Sequence, residues 1–262
     1  MEGIYIAFTL MGIVVKLWAL KVISQTWKQT LLYQLVTLFI LLFLCQSTFE
    51  LMLYFMEESS VSGFVALKGY YLFTLLMAST LPFMVARFSR YSIPKQLVLG
   101  IGLANVMTLS LLLFSETIIL GVDHTGITLT RIAGRHYWLF QLAVLISVLY
   151  SIYILFLCKK STSNFVKIRA NNILLSFSLV ACFVIGIIIV MHFVEGINAV
   201  GLLPLLASLF IFAIVDDIRS KNIVDYSYWV PFSKKRQQIN QLVRPFITIN
   251  SDGLKPSIKK EY

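Results

Sequence analysis

The sequence predicts an all-α membrane protein, built as a seven-transmembrane helix bundle. Of its 262 residues 58% are hydrophobic and only 13% are charged, whereas soluble domains are about a quarter charged. The apolar residues fall in runs of about 20, the length that a helix needs to cross a bilayer. Because backbone N–H and C=O groups find no partner in lipid, such runs form helices. The seven runs lie at about 4–20, 31–55, 65–86, 96–114, 137–158, 172–192 and 197–215.

The first and the last two apolar runs decide the number of transmembrane helices. The first lacks the basic start and the small-residue cleavage site of a signal peptide, so it is predicted to remain as helix one. The last two runs are separated only by residues 192–198, which suits a tight turn containing Gly196. The alternative is a single re-entrant hairpin in place of helices six and seven, which would lower the number of spans.

The distribution of charge predicts the orientation of the bundle. All Lys and Arg residues except Lys16, Lys68, Arg131 and Arg135 follow helices one, three, five and seven. Because Lys and Arg concentrate in cytoplasmic segments, the N-terminus is expected outside and the C-terminus in the cytoplasm. The net charge of +10 then reports orientation, and no nucleic-acid partner is expected. The expected location is the cytoplasmic (inner) membrane, which the chain crosses several times.

The connection between helices four and five, residues 115–136, is the longest on the outer side. Two β-like runs, at 117–120 and 127–132, flank a turn-rich stretch. Their pattern predicts an outer β-hairpin that lies across the mouth of the bundle as a lid.

Residues 1–217 are predicted to form the seven-helix transmembrane domain and residues 218–262 a cytoplasmic basic tail. The tail combines an interfacial segment, a short helix at about 233–243 and an isolated strand at 246–253. Its basic residues predicted to face lipid or a partner are Arg219, Lys221, Lys234, Lys235 and Arg236.

The sequence lacks the motifs of the common catalytic centres. It has no HExxH, no GxSxG, no Gly-rich phosphate loop and no Cys/His cluster. Cys45, Cys158 and Cys182 form no CxxC pair, which favours packing roles over a disulfide or a metal site. Asp216 and Asp217 are followed at once by basic residues and read as interfacial charges. No enzymatic activity, cofactor or metal is expected.

Polar residues near the outer ends of the spans are the candidate ligand-binding residues, because a charge within lipid has a high free energy. They suggest a water-filled outer pocket beneath the connection 115–136, and ordinary interfacial polarity is the alternative. Lys16 is expected to extend its amine to the inner surface instead. The candidates are Glu50, Lys68, Arg131, Arg135, His136, Trp138, His192 and Glu195.

Three segments together resemble a known family. They are ITLTRIAGRHYWLFQLAVLISVLYSIYILF (127–156), KIRANNILLSFSL (167–179) and LPLLASLFIFAIVDDIRSKNIVDYSYWVPFSKKR (203–236). They are similar to the N-terminal seven-transmembrane sensor region of bacterial histidine kinases and diguanylate cyclases. In that family a signalling domain follows the last helix, whereas the remaining residues here are too few for one.

The resemblance implies a non-enzymatic, receptor-like sensor module. It would lie in the lipid bilayer, bind an extracytoplasmic small or peptidic ligand and signal through a cytoplasmic partner protein. It would have no output domain of its own. A homodimer is compatible with this role. The alternatives are a small-molecule transporter or channel and an accessory or immunity-type membrane protein.

Overall fold

The computed structural model describes residues 2–24, 31–56, 61–125, 128–160, 166–168 and 170–178, and the single residues 208, 210, 211, 214 and 215. Most of these residues are helical. The five helices are α1 (Glu2–Ser24), α2 (Leu31–Leu53), α3 (Val61–Phe88), α4 (Lys95–Phe114) and α5 (Tyr137–Lys159).

All five helices are long and apolar enough to cross a membrane. The chain therefore belongs among the α-helical membrane proteins, as its composition predicts. Residues 170–178 and the single described residues between 208 and 215 are also helical. The rest of the predicted helices six and seven, and the whole tail 218–262, lie outside the described residues.

Two antiparallel strands, β1 (Ile119–Thr125) and β2 (Thr128–Ala133), lie between α4 and α5. The stretch that the sequence marks as turn-rich, residues 121–126, belongs to β1 as far as Thr125. Residues 121–125 continue β1 because each pairs with a residue of β2, from Gly121 opposite Ile132 to Thr125 opposite Thr128. A register irregularity between Ile119 and Gly121 marks the start of this ladder.

The base of this β-hairpin is tied to the start of α5. The Gly134 amide donates to the Ile118 carbonyl oxygen (2.9 Å), and the His136 amide donates to the Thr117 carbonyl oxygen (2.9 Å). A Cβ atom on Gly134 would collide with the Thr117 carbonyl group. Only glycine fits this close approach of two backbone segments.

The helices pack around α2 and α3. α2 contacts both α1 and α3, while α3 also contacts α5 and the β-hairpin. Gly69 on α3 leaves room for the ring of Phe49 on α2, which lies where a Cβ atom would stand. α4 presents most of its apolar side chains outward, as a lipid-facing helix does.

Buried apolar residues form two clusters at opposite ends of the bundle. The hairpin-end cluster joins Leu53, Ala66, Leu67, Tyr71, Leu75, Leu112, Ile118, Ile119, Phe140 and Ala143. The far-end cluster joins the other ends of α1, α2, α3 and α5 to residues 166–173 and 210–215. Ser208 adds a hydrogen bond from its hydroxyl to the Gly12 carbonyl oxygen of α1 (3.4 Å).

Candidate functional site

Lys16 lies in the interior of the bundle, and its side chain is completely buried (0% exposed). Its amine donates to the Ser47 hydroxyl on α2 (2.7 Å) and lies 3.9 Å from the centroid of the Phe43 ring. The expectation that Lys16 extends to the membrane surface is wrong. A helical side chain leans toward the N-terminus of its helix, so the amine is directed away from the nearer end of α1.

Glu50 is the charged partner of Lys16. It stands one turn after Ser47 on α2, is only 7% exposed, and interacts electrostatically with Lys16. Opposite charges attract strongly where water is excluded. The two residues therefore compensate each other within the bundle.

Gln46 and Tyr70 extend this polar group toward α3. The two side chains are hydrogen bonded, and Glu50 also interacts electrostatically with Tyr70. Lys16, Gln46, Ser47, Glu50 and Tyr70 together are called the Lys16 cluster. Within the described part of the chain, the buried Gln46 Oε1 has no hydrogen-bond partner. The cluster thus keeps one acceptor unsatisfied, which is costly away from water.

A second group lies where the β-hairpin meets α3 and α5. The Arg131 guanidinium carbon is 4.4 Å from the centroid of the Tyr137 ring and 5.9 Å from that of Tyr71. Tyr71 also hydrogen bonds to both residues and packs edge to face on Phe140, with centroids 5.0 Å apart. Tyr71, Arg131, Tyr137 and Phe140 are called the Arg131 cluster.

Two polar atoms near this cluster have no partner among the described residues. They are Arg131 Nε and His136 Nδ1, and both atoms are buried. His136 directly precedes Tyr137 and is held by the backbone bonds of the turn at Gly134. The turn therefore fixes the backbone position of His136 next to the Arg131 cluster.

Adjacent tyrosines connect the two clusters. The rings of Tyr70 and Tyr71 meet edge to face with centroids 5.4 Å apart. Tyr70 contacts Gln46 on one side, and Tyr71 contacts Arg131 on the other. Side-chain contacts thus run from the hairpin through the two tyrosines to Gln46. The remaining step, from Tyr70 to Lys16, is the electrostatic interaction of each with Glu50.

The predicted ligand-binding residues that the structure describes lie at several different places in the bundle. Glu50 belongs to the Lys16 cluster and Arg131 to the Arg131 cluster, with His136 beside it. Lys68 lies on α3 with its amine 4.7 Å from the centroid of the Phe64 ring. Arg135 is exposed, and Trp138 is 53% exposed. The predicted residues outside the described ones are His192, Glu195, Arg219, Lys221, Lys234, Lys235 and Arg236.

Sequence reasoning missed the residues that connect these candidates, above all Gln46, Ser47, Tyr70 and Tyr71. One signal was available, since Gln46, Ser47 and Glu50 are spaced to share one face of a helix. Polar residues on one face of an apolar helix indicate a face turned toward protein.

The remaining features suit packing rather than recognition of a polar ligand. A cavity of about 210 Å³ lies between α4 and α5, and its lining is almost entirely apolar. The described cysteines, Cys45 and Cys158, are free, and the Cys158 thiol faces the Ser89 carbonyl oxygen (3.7 Å). Among the described residues, no three His, Cys, Asp or Glu side chains are grouped to hold a metal ion.

The two polar clusters are therefore the candidate functional sites of the described residues. No protein-family model matches this chain, and no curated protein does.

Proposed function

We propose that this protein is a receptor-like membrane sensor module without enzymatic activity. In this proposal the chain forms a seven-helix bundle in the cytoplasmic membrane with the β-hairpin on the outer side, like the sensor regions it resembles in sequence. A small or peptidic ligand binds at the hairpin end, and a cytoplasmic partner protein receives the signal.

The observation that supports this function is the series of contacts and electrostatic interactions that joins the Arg131 cluster to the Lys16 cluster. A ligand that takes hydrogen bonds from Arg131 competes with those to Tyr71. Movement of Tyr71 bears directly on the ring of Tyr70, which is bonded to Gln46 beside Glu50. Because Lys16 interacts with Glu50 and lies on α1, the change then reaches α1. This helix also accepts a hydrogen bond from Ser208.

Two buried residues of opposite charge are suited to a switching role. Removing or moving one partner leaves an uncompensated charge, so two arrangements of the pair differ sharply in free energy. A ligand shifts such an equilibrium only through different affinities for its two states. Contact alone does not demonstrate coupling, which must be measured as an interaction free energy.

A double-mutant cycle tests the coupling without knowledge of the ligand. Arg131→Gln, Glu50→Gln and the double variant are compared by their free energies of unfolding in bicelles. If the clusters act together, we expect an interaction free energy above about 0.5 kcal/mol. Arg87→Gln replaces Arg131→Gln in the control cycle, because Arg87 is an exposed arginine at the other end of α3. Additive effects in the first cycle would contradict the proposed transmission.

A transporter is the second candidate, and the Lys16 cluster favours it. Charged side chains within membrane-spanning helices often mark ion or substrate pathways. The unsatisfied Gln46 Oε1 could accept a hydrogen bond from a transported molecule. Proton flux into proteoliposomes under an imposed pH gradient separates the two functions. Flux that is lost in Glu50→Gln would favour transport, whereas an impermeable protein with coupled clusters favours the sensor.

A further inference from the structure

We infer that the Arg131 cluster binds an oxyanion carried on an apolar body, such as an aromatic carboxylate. This inference deepens the proposed sensor function by naming the chemical class of its ligand. It is based on the side chains around Arg131. Ligand binding there can be tested separately from signalling.

The charge of Arg131 has no carboxylate partner among the described residues. Its contacts there are the rings of Tyr71 and Tyr137 and the Tyr71 hydroxyl group. Asp123 is the acidic residue of β1, but it pairs with Thr130, whereas Arg131 pairs with Val122. Successive residues of a strand point to opposite faces, so Asp123 lies on the other face of the hairpin.

Unfilled hydrogen-bonding capacity distinguishes Arg131 from a residue that only packs. A guanidinium group has five N–H donors, and the buried Nε–H of Arg131 has no acceptor among the described residues. Nδ1 of His136, one position before Tyr137, is also buried and unbonded there. An oxyanion accepts a hydrogen bond from the Arg131 Nε–H, and also from His136 when Nδ1 carries the ring proton. Charge-assisted bonds of this kind are stronger than neutral ones.

The aromatic surroundings specify the remainder of the ligand. Ring faces attract cations, but Arg131 already occupies the face of Tyr137 and repels a second positive charge. A ligand with an apolar or aromatic body matches the neighbouring tyrosines and the exposed Trp138. Its negative end supplies the charge that the cluster lacks.

The site is also organised before binding. Gly134 has no room for a side chain, and two backbone hydrogen bonds join its turn to residues 117 and 118. A ligand therefore does not have to order this turn, which lowers the entropic cost of association.

Benzoate is a suitable probe, with benzamide as its neutral counterpart of the same shape. Binding to the full chain in phosphatidylcholine nanodiscs is measured by saturation-transfer NMR. We expect saturable benzoate binding and at least about tenfold weaker benzamide binding, as for the loss of one charge-assisted hydrogen bond. Arg131→Gln should weaken benzoate binding by a similar factor, Arg131→Lys should retain part of it, and the control Arg87→Gln should leave it unchanged.

Equal binding of the two probes, no saturable benzoate binding, or undiminished binding in Arg131→Gln would each overturn the inference. If Arg131→Gln fails to fold, the comparison of benzoate with benzamide in the unaltered protein decides.

The same oxyanion chemistry could come from a soluble compound or from a lipid headgroup. Nanodiscs that also contain phosphatidylglycerol separate these sources. Loss of benzoate binding there assigns the site to an anionic lipid, whereas unchanged binding assigns it to a soluble ligand. Benzoate binding without an interaction free energy between Arg131 and Glu50 would overturn the sensor and keep the anion site. Coupling without benzoate binding would do the reverse.

Discussion

Lys16 and Arg131 each hold a positive charge against aromatic rings, but among the described residues only Lys16 interacts with an acidic side chain. The Lys16 amine has Phe43, the Ser47 hydroxyl and Glu50 around it. Arg131 has Tyr71 and Tyr137, and its Nε is unbonded among the described residues. The charge of Lys16 is thus compensated by a residue of its own cluster, whereas the charge of Arg131 is compensated only in part.

The difference follows from depth. Lys16 is completely buried, and an isolated charge without water is prohibitively unstable, so a partner within the fold is required. Arg131 is only half-buried, beside a hairpin at the end of the bundle. Such a cation can be stabilised by rings and water until an anion arrives. The interior cluster is thus suited to hold a conformation and the hairpin cluster to receive a ligand.

Breaking the interior pair should have the largest effect on stability. Lys16→Met leaves Glu50 buried without its counter-charge and the Ser47 hydroxyl without its donor. We expect the free energy of unfolding to fall by about 3–5 kcal/mol, the usual result of removing one partner of a buried pair. Unfolding in bicelles, followed by the circular dichroism of the helices, measures this change.

Two further variants sharpen that result. Lys16→Met combined with Glu50→Met removes both charges and should recover most of the loss. Lys159→Met removes an exposed lysine from the last turn of α5 and should change stability by less than about 0.5 kcal/mol. A Lys16→Met variant as stable as Lys159→Met would show that the interior pair does not stabilise the bundle.

The hairpin cluster should instead depend on the turn that carries it. Gly134→Ala places a methyl group against the backbone at Thr117 and Ile118, which cannot rotate away. We expect a loss of about 1–3 kcal/mol, as for other overpacked sites, with faster amide exchange in the hairpin. Gly102→Ala on α4, where the added methyl group meets nothing within 4 Å, is the matched control. Equal effects of the two substitutions would contradict a close-packed turn.

The helices were predictable because length and hydropathy alone define a membrane span. The runs at 31–55, 96–114 and 137–158 correspond closely to α2, α4 and α5. α3 extends beyond the run at 65–86 at both ends. Its first turn includes Ser62, whose polarity lowers the local hydropathy without ending the helix.

The clusters were not predictable in the same way, because hydropathy does not say which residues face each other. Glu50 and Arg131 were predicted as candidates, but the residues that interact with each lie on other helices or strands. The prediction for Lys16 was wrong because its side chain leans toward the N-terminus of α1, away from the nearer end of the helix. Tertiary packing determines these contacts, and a single sequence records it only as a shared helical face.

The adjacent tyrosines allow the same substitution, Tyr to Phe, to be compared in the two clusters. Tyr70→Phe removes the hydroxyl group bonded to Gln46, whose carbonyl oxygen is already unsatisfied among the described residues. Tyr71→Phe removes the hydroxyl group shared with Arg131 and Tyr137, which keep their ring contacts. Because stranded buried polar groups are costly, we expect losses of about 1–2 kcal/mol for Tyr70→Phe and about 0.5–1 kcal/mol for Tyr71→Phe. The opposite order, measured by unfolding in bicelles, would mean that the hairpin cluster is the more tightly constrained.

The smallest effect is expected at Arg135, which the sequence assigned to the same ligand site as Arg131. Arg135 is exposed in the turn before α5, so Arg135→Gln should change the free energy of unfolding by less than about 0.5 kcal/mol. Benzoate affinity should also change little, and the change should vanish at high salt, because an exposed charge acts only through a screened field. Titrations of both arginine variants at low and high salt measure the difference. Arg135→Gln could instead weaken binding as much as Arg131→Gln at both salt concentrations. In that case Arg135 contacts the ligand directly, and Arg131 is not the principal determinant of binding.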